Sequence, residues 1–308
     1  MLARPNHLAL LTLAVCVAQA PLAAEQVYWT DKKTNIIYRG SRDGSAAHEV
    51  LVAGLGEARG LALDVAGDKM YWSDAGTGKI QRADLDGSNI EDLVTGLGFL
   101  ADVELDLRAG KVYWSETFSG TIRRADLNGS NVQTVRAGLD QPYYFDLDPA
   151  GGMIYWAELD DGVIHRMNLD GSGTIADVVT GMDRVRDVGL DLAAGMIYWN
   201  DRDSHKVQRT LLDGSGPVED LYSFIPQSGK PHGLALDVAN QMAYWADTGT
   251  HWVMRGAMDG TTSPPQILYD SSIGLDDPWD VELDIIPEPT TLILLALGGL
   301  AAIHRRPG

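Results

Sequence analysis

Tyr-Trp pairs occur six times in this 308-residue chain, at Tyr28-Trp29, Tyr71-Trp72, Tyr113-Trp114, Tyr155-Trp156, Tyr198-Trp199 and Tyr244-Trp245, spaced by 43, 42, 42, 43 and 46 residues. An acidic residue stands two places after each Trp, at Asp31, Asp74, Glu116, Glu158, Asp201 and Asp247. A Leu-Asp pair precedes every aromatic pair but the first, ending at Asp64, Asp106, Asp148, Asp191 and Asp237, and a further copy, Leu283-Asp284, stands alone near the end. An arginine follows each aromatic pair, at Arg39, Arg82, Arg124, Arg166, Arg209 and Arg255, and each repeat then reaches an Asp-Gly or Asn-Gly dipeptide. Self-similarity at such a period decides the architecture before any single residue does.

Each repeat divides into four short strands. In one copy these run over 59–64, 69–73, 79–85 and 91–95, here called a to d. Asp86-Gly87 forms the tight c–d hairpin, where glycine accepts positive φ at no steric cost. Four strands per unit at this period predict an all-β fold, a β-propeller of six four-stranded blades. The first repeat begins at its b strand, Val27-Tyr28-Trp29, and lacks strand a. The lone segment Trp279-Asp280-Val281-Glu282-Leu283-Asp284 supplies it. The C-terminal strand is therefore expected to join the N-terminal blade, which closes the ring and removes the exposed strand edges that template aggregation.

Composition narrows function by exclusion. The net charge of -19 argues against nucleic-acid binding, which needs basic surface to displace counterions. The one cysteine, Cys16, lies in the leader, so the mature chain is expected to have neither a disulfide nor a thiolate nucleophile. Residues 1–24 read as a secretory signal peptide: Arg4, an apolar run from Leu8 to Ala18, and Ala23-Ala24 before Glu25. The propeller then occupies 25–286. Residues 287–308 hold Pro287-Glu288-Pro289, an apolar stretch from Leu292 to Ile303 and Arg305-Arg306. That stretch is short against the roughly 20 residues that cross a bilayer.

The in-phase copies resemble the class B, or YWTD, repeats of the low-density lipoprotein receptor family, and the first copy, Tyr28-Trp29-Thr30-Asp31, keeps the full motif. The resemblance covers 25–286 and implies a non-enzymatic propeller that binds protein ligands. The tail resembles the PEP-CTERM sorting signal of Gram-negative bacteria. That likeness implies export, recognition by an exosortase-type enzyme and a transient inner-membrane stage, with a final place at the cell surface, in the extracellular matrix or in the medium.

Within the repeats, the uniform a–b and c–d turns contrast with b–c and d–a loops that differ from blade to blade. Variable loops on a rigid scaffold are where binding sits. Aromatic and Arg side chains on that face are the usual anchors of an interface. The candidates for contact with an extracellular protein or polysaccharide are Phe99, Tyr143, Tyr144, Arg184, Arg186, His232, Trp252 and Trp279. Strand a should line the central channel with alternate residues. One inward layer is then Gly60, Asp102, Tyr144, Asp187, Gly233 and Asp280, and the next is Ala62, Glu104, Asp146, Gly189, Ala235 and Glu282. A Ca2+ ion held among Asp102, Glu104, Asp146, Asp187, Asp280 and Glu282 would relieve their repulsion. No catalytic residue is assigned. The alternative reading is a calcium-dependent, lactonase-like hydrolase working in this acidic channel.

Overall fold

The computed structural model describes residues 25–223 and 229–285. The leader at 1–24 and the sorting segment from 287 lie outside the described residues. Six antiparallel four-stranded sheets make up the fold. In the second blade the strands are Ala58–Asp64, Lys69–Asp74, Lys79–Asp84 and Glu91–Thr95, each within a residue or so of the sequence expectation. The last strand, Pro278–Leu283, pairs with Gln26–Asp31 of the first blade, so the ring closes as the repeat count requires.

The repeated aromatics explain why the blades cohere. Neighbouring residues of a strand face opposite sides of a sheet. The Trp of each blade therefore packs in one core cluster with the Tyr of the blade before it: Tyr28 with Trp72, Tyr71 with Trp114, Tyr113 with Trp156, Tyr155 with Trp199 and Tyr198 with Trp245. Tyr244 of the last blade meets Trp29 of the first, which completes the circle. All six Trp side chains are fully buried.

The rest of the motif handles polar groups. The motif acids tie down loops: Asp31 accepts from the amides of Lys33 and Thr34 in its own b–c turn and of Asp276 and Asp277 in the loop before the closing strand. Asp74 does the same for Gly56, Glu57 and Thr77. The recurring arginines work between blades instead. Arg39, Arg82, Arg209 and Arg255 each donate to a backbone oxygen beside the c–d turn of the next blade, respectively Leu85, Leu127, Met258 and Arg42.

The inner strands carry a feature that simple alternation misses. In every blade the a–b register shifts so that two residues of strand a oppose one of strand b, which is a β-bulge. The residue opposite the bulge is the third of the motif. In the three blades where that residue is Ser or Thr, its hydroxyl accepts the amide freed there, from Gly60 to Ser73 (3.0 Å), Asp102 to Ser115 (3.2 Å) and Asp280 to Thr30 (3.1 Å). The same hydroxyls donate onward to the next blade, at the carbonyls of Ala101, Tyr143 and Arg59.

Candidate functional site

The bulges place three stacked rings of side chains along the channel. The outermost, on the variable-loop face, is Arg59, Ala101, Tyr143, Arg186, His232 and Trp279. Beneath it lies the layer of Asp102, Tyr144, Asp187 and Asp280 with Gly60 and Gly233. Below that lies the layer of Glu104, Asp146 and Glu282. Nine of the twelve residues expected in the two inner layers line one cavity of about 270 Å3.

The channel aspartates are held rigidly. Asp102 accepts from its own neighbour Val103 (2.8 Å) and from Phe145 of the next blade (2.9 Å). Asp146 treats Leu147 and Leu190 in the same way, Asp187 treats Val188 and Leu234, and Asp280 treats Val281 and Leu61. Glycine makes this possible in the two blades without a carboxylate. A Cβ on Gly60 would lie 2.6 Å from the Asp102 backbone, and one on Gly233 would lie 2.5 Å from that of Asp280. Gly60→Ala is accordingly expected to lower stability by about 1–3 kcal/mol, the usual penalty for overpacking. Urea unfolding measures it, and an unchanged midpoint would mean that Asp102 can withdraw freely.

Burial dominates the electrostatics. It pushes Asp146 up to about 6 and Asp280 up to about 7. Burial together with neighbouring carboxylates raises Asp102, Glu104, Asp187 and Glu282 well above their ordinary range. His232 is driven the other way, held neutral first by burial and then by the Arg186 and Arg59 charges. Its Nδ1 lies 3.0 Å from the Trp279 carbonyl and its Nε2 lies 3.3 Å from the Tyr143 hydroxyl.

The sequence candidates separate by depth. Tyr143, Tyr144 and His232 are buried and form a plug, with the Tyr144 and His232 rings edge to face at 5.4 Å. They shape the mouth from beneath. Trp279 is half-buried, with its ring 3.9 Å from His232, 5.0 Å from the Arg59 guanidinium and 4.2 Å from the Lys32 ammonium. Arg59 also covers Phe99 at 4.3 Å, and Phe99 packs on Phe118 at 4.5 Å. Phe118 is 68% exposed, the most open large apolar side chain among the described residues. Arg184 is engaged by Asp160 and Asp203. Trp252 stands apart from the mouth, half-buried against the core between blades five and six.

Arg186 is the anomaly of the mouth. It is 8% exposed, its Nε and Nη1 find no hydrogen-bond acceptor, and no carboxylate among the described residues pairs with it. It rests over the Tyr143 ring at 5.1 Å. Away from the channel, Asp140, Glu158 and Asp161 bring carboxylate oxygens within 4.8 Å of one another. His165 lies 3.3 Å from Glu158, which loads that group with a competing partner.

The class defined by this geometry is a closed six-bladed β-propeller with an acidic channel and a cationic, aromatic mouth. The low-density lipoprotein receptor repeat class B model matches residues 68–100, and the PEP-CTERM protein-sorting motif matches residues 286–306. The chain is a six-bladed β-propeller that carries a class B repeat and a PEP-CTERM sorting motif. No curated protein matches it in sequence. Among solved structures, a chain of the nidogen/laminin complex is similar at 16% identity and a TM-score of 0.74, over 85% of this chain and 98% of that one. A putative TolB from Agrobacterium tumefaciens is similar at 15% identity and a TM-score of 0.61, over 86% and 99%. Virginiamycin B lyase from Staphylococcus aureus is similar at 17% identity and a TM-score of 0.51, over 68% of each chain. At these identities the likeness speaks for the fold alone.

Proposed function

We propose that this protein is an exported, non-enzymatic binding module that docks an extracellular protein or polysaccharide on its variable face. The observation that carries the reading is Arg186. A guanidinium so nearly buried without a carboxylate is costly unless a partner completes it. Arg186 therefore favours an anionic group entering the mouth, a carboxylate above all, because the planar fork of Arg matches that shape. The apolar track from Phe118 through Phe99 to Trp279 supplies the desolvated surround that such anchors need. A similar propeller in a complex of nidogen with laminin agrees with a binding role. The sorting motif agrees with export and with processing by an exosortase-type membrane enzyme.

Surface and secreted extract passed over the immobilised full-length chain, beside an Arg186→Met/Trp279→Ala variant with the same near-UV circular dichroism, tests this. One partner should be retained by the native chain and bind the variant about 30-fold or more weakly, as loss of a hot-spot pair predicts. Equal retention by both chains would remove the mouth as the working surface.

A further inference from the structure

We infer that the chamber beneath the Tyr144 plug is a binding site for a hard divalent cation of the Ca2+ class, with Glu104 and Glu282 as its principal ligands. The inference goes beyond the proposed docking role and stands without it. Six carboxylates line a cavity of about 270 Å3, and none of its lining residues is Lys, Arg or His. All the donors are oxygens, the set that hard cations select. Four of the six are aspartates fixed by two backbone amides each, and a carboxylate oxygen that accepts one hydrogen bond keeps a second lone pair. They are thus preorganised without being saturated. The two glutamates differ. Among the described residues, Glu104 accepts no hydrogen bond, and Glu282 has only a long one, 3.4 Å from the Leu283 amide. Both line the same chamber, where two negative charges repel and a cation between them relieves the repulsion.

An independent observation comes from Tyr144. Its side chain is 1% exposed and lines this chamber, yet its hydroxyl has no hydrogen-bond partner among the described residues. A buried hydroxyl without a partner in a native fold calls for an explanation such as an ion or ion-bound water. Asp102, Asp187 and Asp280 share the layer of Tyr144 and line the same chamber, an anionic space where a cation or its water fits. Size distinguishes between cations. A water takes roughly 30 Å3, so the chamber has room for an ion with several waters. Such a roomy and irregular oxygen set suits the six to eight ligands of Ca2+ better than the strict octahedron of Mg2+.

The test uses the full-length chain in mild detergent, stripped with chelator and titrated with CaCl2 by calorimetry and by thermal unfolding. One ion per chain and a rise in Tm are expected within about 5 mM, the weak end of extracellular calcium sites. MgCl2 should give a much smaller response. Glu104→Gln/Glu282→Gln should abolish the Tm shift, and the single Glu282→Gln variant should weaken binding about tenfold or more, as loss of an ionised ligand predicts. Tyr144→Phe should weaken binding several-fold at unchanged stoichiometry. No heat and no Tm shift with CaCl2 would overturn the inference. An undiminished shift in the Gln variants would also overturn it by placing the ion elsewhere, for instance at Asp140, Glu158 and Asp161. An equal response to MgCl2 would overturn the assignment to the Ca2+ class.

Discussion

A chain that ends at Asp277 should fail to form the cooperative fold that a chain ending at Ile285 retains. The two differ only in the closing strand and the two residues after it. That strand supplies the whole inner edge of the first blade, with Val281 fully buried and Leu283 nearly so. Burying side chains of this size contributes roughly 1.5–3 kcal/mol each. The strand also brings the backbone ladder to Gln26–Asp31, and it brings Asp280, which holds the Leu61 amide of the second blade. Their sum is comparable with the net stability of a whole domain, about 5–15 kcal/mol. Losing the strand also exposes the edge of Gln26–Asp31 as a template for association. The expected result is loss of near-UV circular dichroism and of a sharp thermal transition, with aggregation in sedimentation. Equal transitions in the two chains would mean that the Tyr244–Trp29 packing alone closes the ring.

Most of this architecture was legible in the sequence because the repeat is redundant. Six Tyr-Trp pairs and six Leu-Asp strands, offset by one, specify both the blade number and the seam, and glycine at the c–d turns marks the hairpins. Strand boundaries followed to within a residue or so because turn chemistry brackets each one. The inner layers of the channel followed from alternation after Leu61, Val103 and their equivalents.

The mouth was harder to read, for a definite physical reason. Arg186 stood among the variable-face candidates through its place at the start of strand a, yet alternation alone puts it on the side of Val188, inside the blade. The bulge turns it to the mouth instead. A signal was present in the apolar spacing. Ala58, Leu61 and Leu63 are separated by three and then two, as are Leu100, Val103 and Leu105, and a flat strand has no place for a step of three. The burial of Tyr143 and His232 was a different matter, since it depends on which side chains meet across the ring. The aspartates that tie blade to blade also escaped the sequence, because a carboxylate that bridges backbone amides carries no spacing of its own.

The seam shows this limit most sharply at Arg42. The residue before the c–d turn is Leu85, Leu127, Leu169, Leu212 or Met258 in five blades, and Arg42 in the first. In the structure Arg42 is 6% exposed and reaches Asp237 of the last blade at 2.6 Å, where Asp237 is 2% exposed. It also lies 3.3 Å from Glu25 and 3.8 Å from Asp284, while its carbonyl accepts from Arg255. One side chain thus joins the first blade, the last blade and the segment after the closing strand. Breaking a buried pair by removing one partner strands the other charge and costs about 3–5 kcal/mol. Arg42→Ala should therefore lower Tm by roughly 10 °C for a domain of this size. Arg42→Leu should lose less, because leucine restores the packing of the other blades and Asp237 still accepts from Asn240. In the double-mutant cycle with Asp237→Ala, the losses should fall short of additive by about 1 kcal/mol or more, since each single change already breaks the same contact. Additive losses would reduce Arg42 to packing, and closure would then rest on the strand and the aromatic cluster alone.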